Sequence, residues 1–272
     1  MKTCFFIFVI LFFISCTAKK SEEKKTDVSS ARATQDSIKP VPEVSAATIL
    51  LKRQVPVLCY HHIRNTSLGD YTVSPASFTE QMQTLADSGY KTILPDQLYN
   101  YLTGSDSIPQ KSVMITFDDT DLEQFTIGSA EMNKHGFKGV YFIMTVAIGR
   151  NRYMNKEQIK QLSDDGNFIE AHTWNHSRVT EYTDTDWNKQ LDEAKQKLET
   201  ITGKPVVYFA YPFGLWNKAA IQQLQLRGIK MAFQLSAKSD STQPLYTVRR
   251  MLVPGTWTTK GLFKAIKRTF HL

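Results

Sequence analysis

Val113-Met114-Ile115-Thr116-Phe117-Asp118-Asp119 is a short apolar run that ends in two adjacent carboxylates. A continuous run of this length reads as a strand buried on both faces. Similar runs stand at Val55–Tyr60, Gly139–Thr145, Phe168–His172, Val206–Ala210 and Ile229–Phe233, with a later one at Tyr246–Val253. Helical stretches separate them. Ser77–Ser88 opens with Ser77 and Glu80, a capping-box pattern. Leu122–His135 stops at Gly136, and Asn155–Asp165 opens with Asn155 and Gln158. Asp184–Thr202 stops at Gly203 and Asn217–Arg227 at Gly228. Strand alternating with helix predicts a single α/β domain with a largely parallel sheet; a barrel and an open sheet both fit.

Composition narrows the class. Hydrophobic residues are 42% and aromatics 11%, enough apolar surface to exclude a wholly disordered chain. Three cysteines exclude a disulfide-rich scaffold. The formal charge of +7 is not evenly spread, with +4 on residues 1–53 and only +3 on the much longer remainder. A nucleic-acid binder concentrates basic charge on its folded part, so no nucleic-acid partner is expected. A positive start and an apolar run, Cys4 to Ile14, predict a signal peptide over residues 1–15. Phe13-Ile14-Ser15-Cys16 resembles a bacterial lipobox, which implies lipidation at Cys16 and a lipid-anchored place in the bacterial cell envelope. Residues 16–48 are rich in Lys, Glu, Ser, Thr, Asp and Pro and read as a flexible tether, leaving 49–272 as the domain. Cys59 is expected to be an inert buried thiol. Lys260, Lys264, Lys267 and Arg268 share one face of a terminal helix and read as a solvated face. A monomer is expected.

In parallel α/β folds the chemistry collects at the C-terminal ends of the strands. Asp118 and Asp119 end one strand; adjacent acids there repel unless a cation is near. His172 ends another, and His176 follows four residues later, a spacing that on a helical turn points two imidazoles the same way. Two His and a carboxylate suit an open, catalytic divalent-metal site. His61-His62 ends the first strand. Tyr211-Pro212-Phe213-Gly214 ends a fourth, in a turn able to aim backbone N–H groups at an oxyanion. Arg249-Arg250 lies in the late strand.

These residues together resemble the polysaccharide deacetylase family with its NodB homology domain, a carbohydrate esterase family. Thr116-Phe117-Asp118-Asp119 matches its TFDD motif, and His172-Thr173-Trp174-Asn175-His176 its H-[ST]-x-x-H motif. Phe209-Ala210-Tyr211-Pro212-Phe213-Gly214 and Tyr60-His61-His62-Ile63 look like motifs of the poly-N-acetylglucosamine deacetylase subgroup. The resemblance spans about residues 54–255. It implies a distorted (β/α) barrel and a metal-dependent hydrolase that removes N-acetyl groups from amino-sugar polysaccharides, with an inactive glycan-binding relative or an O-acetyl (ester) deacetylase on the same fold as the alternatives. Asp119, His172 and His176 would hold the metal, zinc first, with cobalt or nickel as alternatives. Asp118 would be the general base, His61 the general acid, and Arg250 the residue that orients Asp118, with Arg249 competing for that role. Tyr211, Phe213 and Trp174 would face the oxyanion or the sugar, as would Trp216. The chain departs from the family pattern at Thr120, where Gly is usual, and at Phe213, where Tyr is usual; the usual Arg of the third motif is absent. A Thr at a position with φ > 0 would be strained.

Overall fold

Parallel strands buried on both faces need an apolar layer on each side, and the chain supplies two. A computed structural model describes residues 44–66, 68–104, 106–235 and 237–272. The expected signal peptide, Cys16 and nearly all of the expected tether lie outside the described residues. In chain order the elements are α1 (Ala46–Leu51), β1 (Val57–Tyr60), β2 (His62–Ile63), β3 (Thr72–Val73), α2 (Pro75–Asp87), β4 (Lys91–Thr92) and α3 (Pro95–Thr103). Then come β5 (Ser112–Asp118), α4 (Ala130–Lys134), β6 (Val140–Ile143), α5 (Lys156–Asp164), β7 (Phe168–Ala171) and α6 (Glu193–Thr202). The last are β8 (Tyr208–Ala210), α7 (Lys218–Leu226), β9 (Met231–Phe233), β10 (Met251–Leu252) and α8 (Thr259–Phe270). Helix α1 carries buried Ile49 and begins three residues ahead of the expected domain start.

The main sheet is wholly parallel, in the order β10-β1-β5-β6-β7-β8-β9, with β4 beside β5. Val248 bridges to Phe233 of β9, and three residues later Met251 pairs with Leu58 of β1. One segment thus touches both edges of the sheet and curls it into the distorted barrel expected. This also explains why Tyr246–Val253 is not one continuous strand: it crosses from one edge to the other.

The period-2 alternation of the strands decides what faces the barrel interior. Val57, Met114, Phe142, Tyr208 and Phe233 meet there, with Leu98 of α3. Val113, Ile115 and Phe117 point the other way and pack with Phe78, Met82 and Leu85 of α2. The interior register carries on past the strand ends. From Val57 it runs to Cys59 and His61, from Met114 to Thr116 and Asp118, and from Val248 to Arg250.

Three helix starts differ from expectation. Helix α2 is capped by Ser74, whose hydroxyl accepts from Ser77 N at 3.0 Å, and Pro75 takes its first position. The cap is therefore not Ser77: a proline with fixed φ ≈ −65° and no N–H suits the first turn and pulls the helix start forward. The stretches 122–135 and 184–202 each begin with a π-helical turn, Gln124–Ser129 and Asn188–Asp192. Asn155 and Gln158 do form the reciprocal cap expected of α5. Substituting Ser74 by Ala should lower stability by about 1 kcal/mol. Ser77→Ala should cost less, and the difference is read from the midpoints of urea unfolding curves.

Candidate active site

Asp118 closes β5 and meets Arg250 edge to edge. Arg250 Nη1 donates to Asp118 Oδ1 and Nη2 to Oδ2, each at 2.7 Å. Arg250 also donates from Nε to Gln234 O at 3.1 Å and from Nη1 to Thr116 Oγ1 at 3.2 Å. Both partners are buried, Arg250 wholly so. Burial pushes the Asp118 carboxyl up, but the guanidinium, helped by His172, holds it well below the usual carboxylate range. Asp118 is therefore ionised at neutral pH. Arg249 instead donates to Thr269 O at 2.9 Å, so Arg250 is the partner of Asp118.

Asp119 turns away from the strand with φ +76° and faces the two histidines. Its Oδ1 lies 3.6 Å from His172 Nε2 and 3.5 Å from His176 Nε2. The imidazole rings stand 4.9 Å apart, centre to centre. The helical turn expected for this pair does not form. Thr173 and His176 have φ +65° and +63°, and His176 N donates to Thr173 Oγ1 at 2.9 Å. A turn with two left-handed residues brings the rings together instead.

The donor set fits a divalent cation. His172 Nδ1 lies 2.8 Å from Ala210 O, a carbonyl that only accepts. The proton is therefore on Nδ1, and Nε2 presents its lone pair. His172 Nε2 and Asp119 Oδ1 are both buried without a hydrogen-bond partner. Such orphaned atoms are costly unless an ion satisfies them. Burial drives His172 down to about 3 and lowers His176, so both are neutral, as ligands must be. Asp119 is pushed up to about 6 by burial and by the Asp118 and Asp121 charges, with His61 opposing.

His61 follows β1 on the opposite flank, 7% exposed, with its ring edge-on to Tyr71 at 5.1 Å. Burial lowers it, while Asp118 and Asp119 pull it back up. His62 points elsewhere: its Nδ1 lies 2.8 Å from Asp121, which also accepts from Arg64. Of the adjacent pair, only His61 joins the site.

The fourth strand end contributes less than expected. Tyr211 is fully buried, its ring edge-on to Phe209 in the core, so its side chain does not reach solvent. Phe213 is half exposed at φ +60°, with its ring 4.4 Å from that of His176. The turn is pinned at Gly214, where an added Cβ would lie 2.6 Å from Leu235 N. Trp174 is half-buried under the Lys189 ammonium, 3.7 Å away. Trp216 donates from its indole to Gln234 Oε1 at 2.8 Å.

Thr120 adopts φ +76°, the conformation in which a Thr is strained. Its hydroxyl accepts from Met144 N at 2.8 Å, a bond that glycine could not make. Two further residues shape the site without having been singled out as such. Gln124 is buried, donates to His61 O at 2.9 Å and also reaches Asp118 O. Cys59, expected to be inert, is buried but lies 3.6 Å from Asp118 Oδ2. A fully buried Gln in an otherwise helical stretch leaves no mark in sequence, whereas Cys59 sits two residues before His61 on the same strand face. A cavity of about 290 Å³ opens at the other end of the barrel, near Val55 and Leu98, and holds none of these groups.

Residues 105–232 match the family model described as polysaccharide deacetylase. Just under half of the chain is thus similar to a polysaccharide deacetylase domain. It is 25% identical over 210 residues to the poly-beta-1,6-N-acetyl-D-glucosamine N-deacetylase of Staphylococcus aureus, a match covering 71% of this chain and 72% of that one. Among solved structures it resembles a polysaccharide deacetylase from Bacillus cereus, with TM-score 0.68 and 26% identity over 78% of this chain and 69% of that one. A Streptococcus pyogenes deacetylase in complex with acetate shares the fold, with TM-score 0.72 and 21% identity over 78% of this chain and 97% of that one. The matched stretch spans the site motifs from Asp118 to Phe213; His61 and Arg250 lie outside it.

Protons and cations compete for Asp119. Affinity for zinc should fall as pH drops from 7 to 5, through the value near 6 at which Asp119 takes up its proton. Calorimetric titration at several pH values checks this, and His172→Ala should abolish binding of the first, tighter equivalent.

Proposed function

We propose that this protein is a metal-dependent hydrolase that removes N-acetyl groups from an amino-sugar polysaccharide. The observation that carries this reading is the pair of orphaned donors, His172 Nε2 and Asp119 Oδ1, beside an ionised carboxylate and a second imidazole. The name of the Staphylococcus aureus relative supports the choice of an N-acetylated substrate.

Asp119, His172 and His176 would hold the cation. A divalent ion there lowers the pKa of water from 15.7 towards about 7 and polarises an amide carbonyl. Asp118, kept anionic by Arg250, takes the proton released as the water oxygen bonds to the acetyl carbon. The N–H of Phe213 faces the oxygen on which negative charge gathers. His61 gives its proton to the sugar nitrogen as the C–N bond breaks, leaving acetate and a free amine. Base and acid contribute roughly 10²–10⁴-fold each. Half-exposed Phe213 and Tyr71 offer apolar faces to a sugar ring.

Acetate release from N-acetylglucosamine oligomers tests the reading. The chain stripped of metal should be inactive and should recover with zinc, cobalt or nickel. Asp118→Asn should abolish release, and His61→Ala should lower it about 10²–10⁴-fold. An ester leaving group needs less protonation than an amine. Loss of amide but not of ester cleavage in His61→Ala would thus fit the acid role, and full amide activity would sink it.

The protein acts, in this reading, from a lipid anchor at Cys16 in the bacterial envelope, with residues 16–48 as the tether. Labelled palmitate fed to cells should enter the protein and be lost in Cys16→Ser; equal labelling of both would rule the anchor out.

A further inference from the structure

Two groups of three ligating side chains occur among the described residues. Asp119, His172 and His176 are accounted for above. The second group is Cys59, His61 and Asp118, all buried. Cys59 Sγ stands 3.6 Å from Asp118 Oδ2 and 3.9 Å from His61 Nδ1. Donors on one tetrahedral zinc, at about 2.0–2.3 Å from it, are themselves roughly 3.3–3.8 Å apart. The thiol already stands near that spacing from both partners, and all three donors lie within 4.8 Å of one another. We propose that Cys59, His61 and Asp118 form a second site, selective for thiophilic divalent cations such as zinc, cobalt or cadmium, whose occupation shuts the catalytic site down.

The donor chemistry is one thiolate, one imidazole and one carboxylate, a set that zinc accepts and that magnesium and calcium do not favour. Binding forms a metal–sulfur bond and releases the thiol proton to solvent; nothing is oxidised or reduced. Asp118 Oδ2 accepts from the thiol and from Arg250 Nη2. When the thiol proton leaves, that lone pair becomes free for the ion, and the Arg250 pair need not break. His61 binds through Nδ1 and keeps its hydrogen on the other nitrogen.

Order of filling follows from charge and access. The buried Arg250 cation faces the second site across Asp118 and weakens it. Arg250 acts on Asp119 and His172 through its charge rather than by bonding to them, and Asp119 and His176 are the more exposed donors. The first equivalent of metal therefore goes to Asp119, His172 and His176. Excess metal reaches the second site past His61, which is 7% exposed. Once bound, it occupies the base and immobilises the acid. The shutdown rests on the deacetylase reading; the site itself does not.

The test is a cobalt(II) titration of the metal-free full chain followed by absorption. The first equivalent should give visible ligand-field bands without a thiolate-to-cobalt charge-transfer band. Further cobalt should add that band in the near ultraviolet. Cys59→Ser leaves a hydroxyl within reach of Asp118, keeps the first phase and loses the second. Cys4 and Cys16 remain in both proteins, so a band of equal strength in the two belongs to them and overturns the proposal. In parallel, excess zinc should cut acetate release by the wild-type chain at least about tenfold, given the weight of base and acid, and Cys59→Ser should escape this. A charge-transfer band without any acetate release keeps the site and removes the deacetylase reading. Acetate release that excess zinc leaves untouched, with no band, removes the second site alone.

Discussion

A guanidinium and a carboxylate are buried together at the mouth of the barrel, and the arrangement of the site depends on them. Arg250 comes from the segment that joins the two sheet edges, and Asp118 from the end of β5. Their two parallel hydrogen bonds, with Thr116 Oγ1 and Gln234 O taking further donors, tie β5, β9 and the closing segment at one point. Removing one partner would leave an unpaired buried charge, a loss of about 3–5 kcal/mol. A matched pair of apolar side chains could be as stable. What the ion pair adds is a carboxylate that stays ionised where water is excluded. Asp119, His172, His61 and Cys59 are all arranged around that fixed charge.

Backbone strain gathers at the same place. Of the seven non-glycine residues with positive φ among the described residues, Asp119, Thr120, Thr173, His176 and Phe213 belong to the site motifs. Such residues cost of order 1–3 kcal/mol each. Glycine would relieve the strain at Asp119 and His176 but would delete a ligand. At Thr120 the side chain recovers part of the cost through its bond with Met144 N. The chain bends sharply just past β5, β7 and β8, where the side chains of the candidate site converge.

Much of the site was legible because its residues sit at strand ends. The run to Asp118 and Asp119, the two histidines after β7 and the turn after β8 all follow apolar stretches whose period needs no tertiary information. The resemblance to a deacetylase family then assigned their roles. Other features left no local mark. The choice of Arg250 over Arg249, and of His61 over His62, is a choice of strand face, settled by which residue continues the interior register. Gln124 enters through a π-helical turn that its apolar neighbours do not signal. The joining of His172 and His176 by a left-handed turn was hidden because four-residue spacing imitates a helix.

By itself the sequence determined the alternation of strand and helix, the parallel sheet, the position of chemistry at the strand ends and the residue types able to hold a cation. Those properties are local, set by hydrophobic period, by caps and by the titratable groups that end each run. Only the tertiary structure decided which charges are paired, which histidine turns inward, and that Cys59 stands against Asp118. These depend on distances between residues as far apart in the chain as Cys59, Asp118 and Arg250, and such distances exist only once the barrel has curled and its interior face has excluded water.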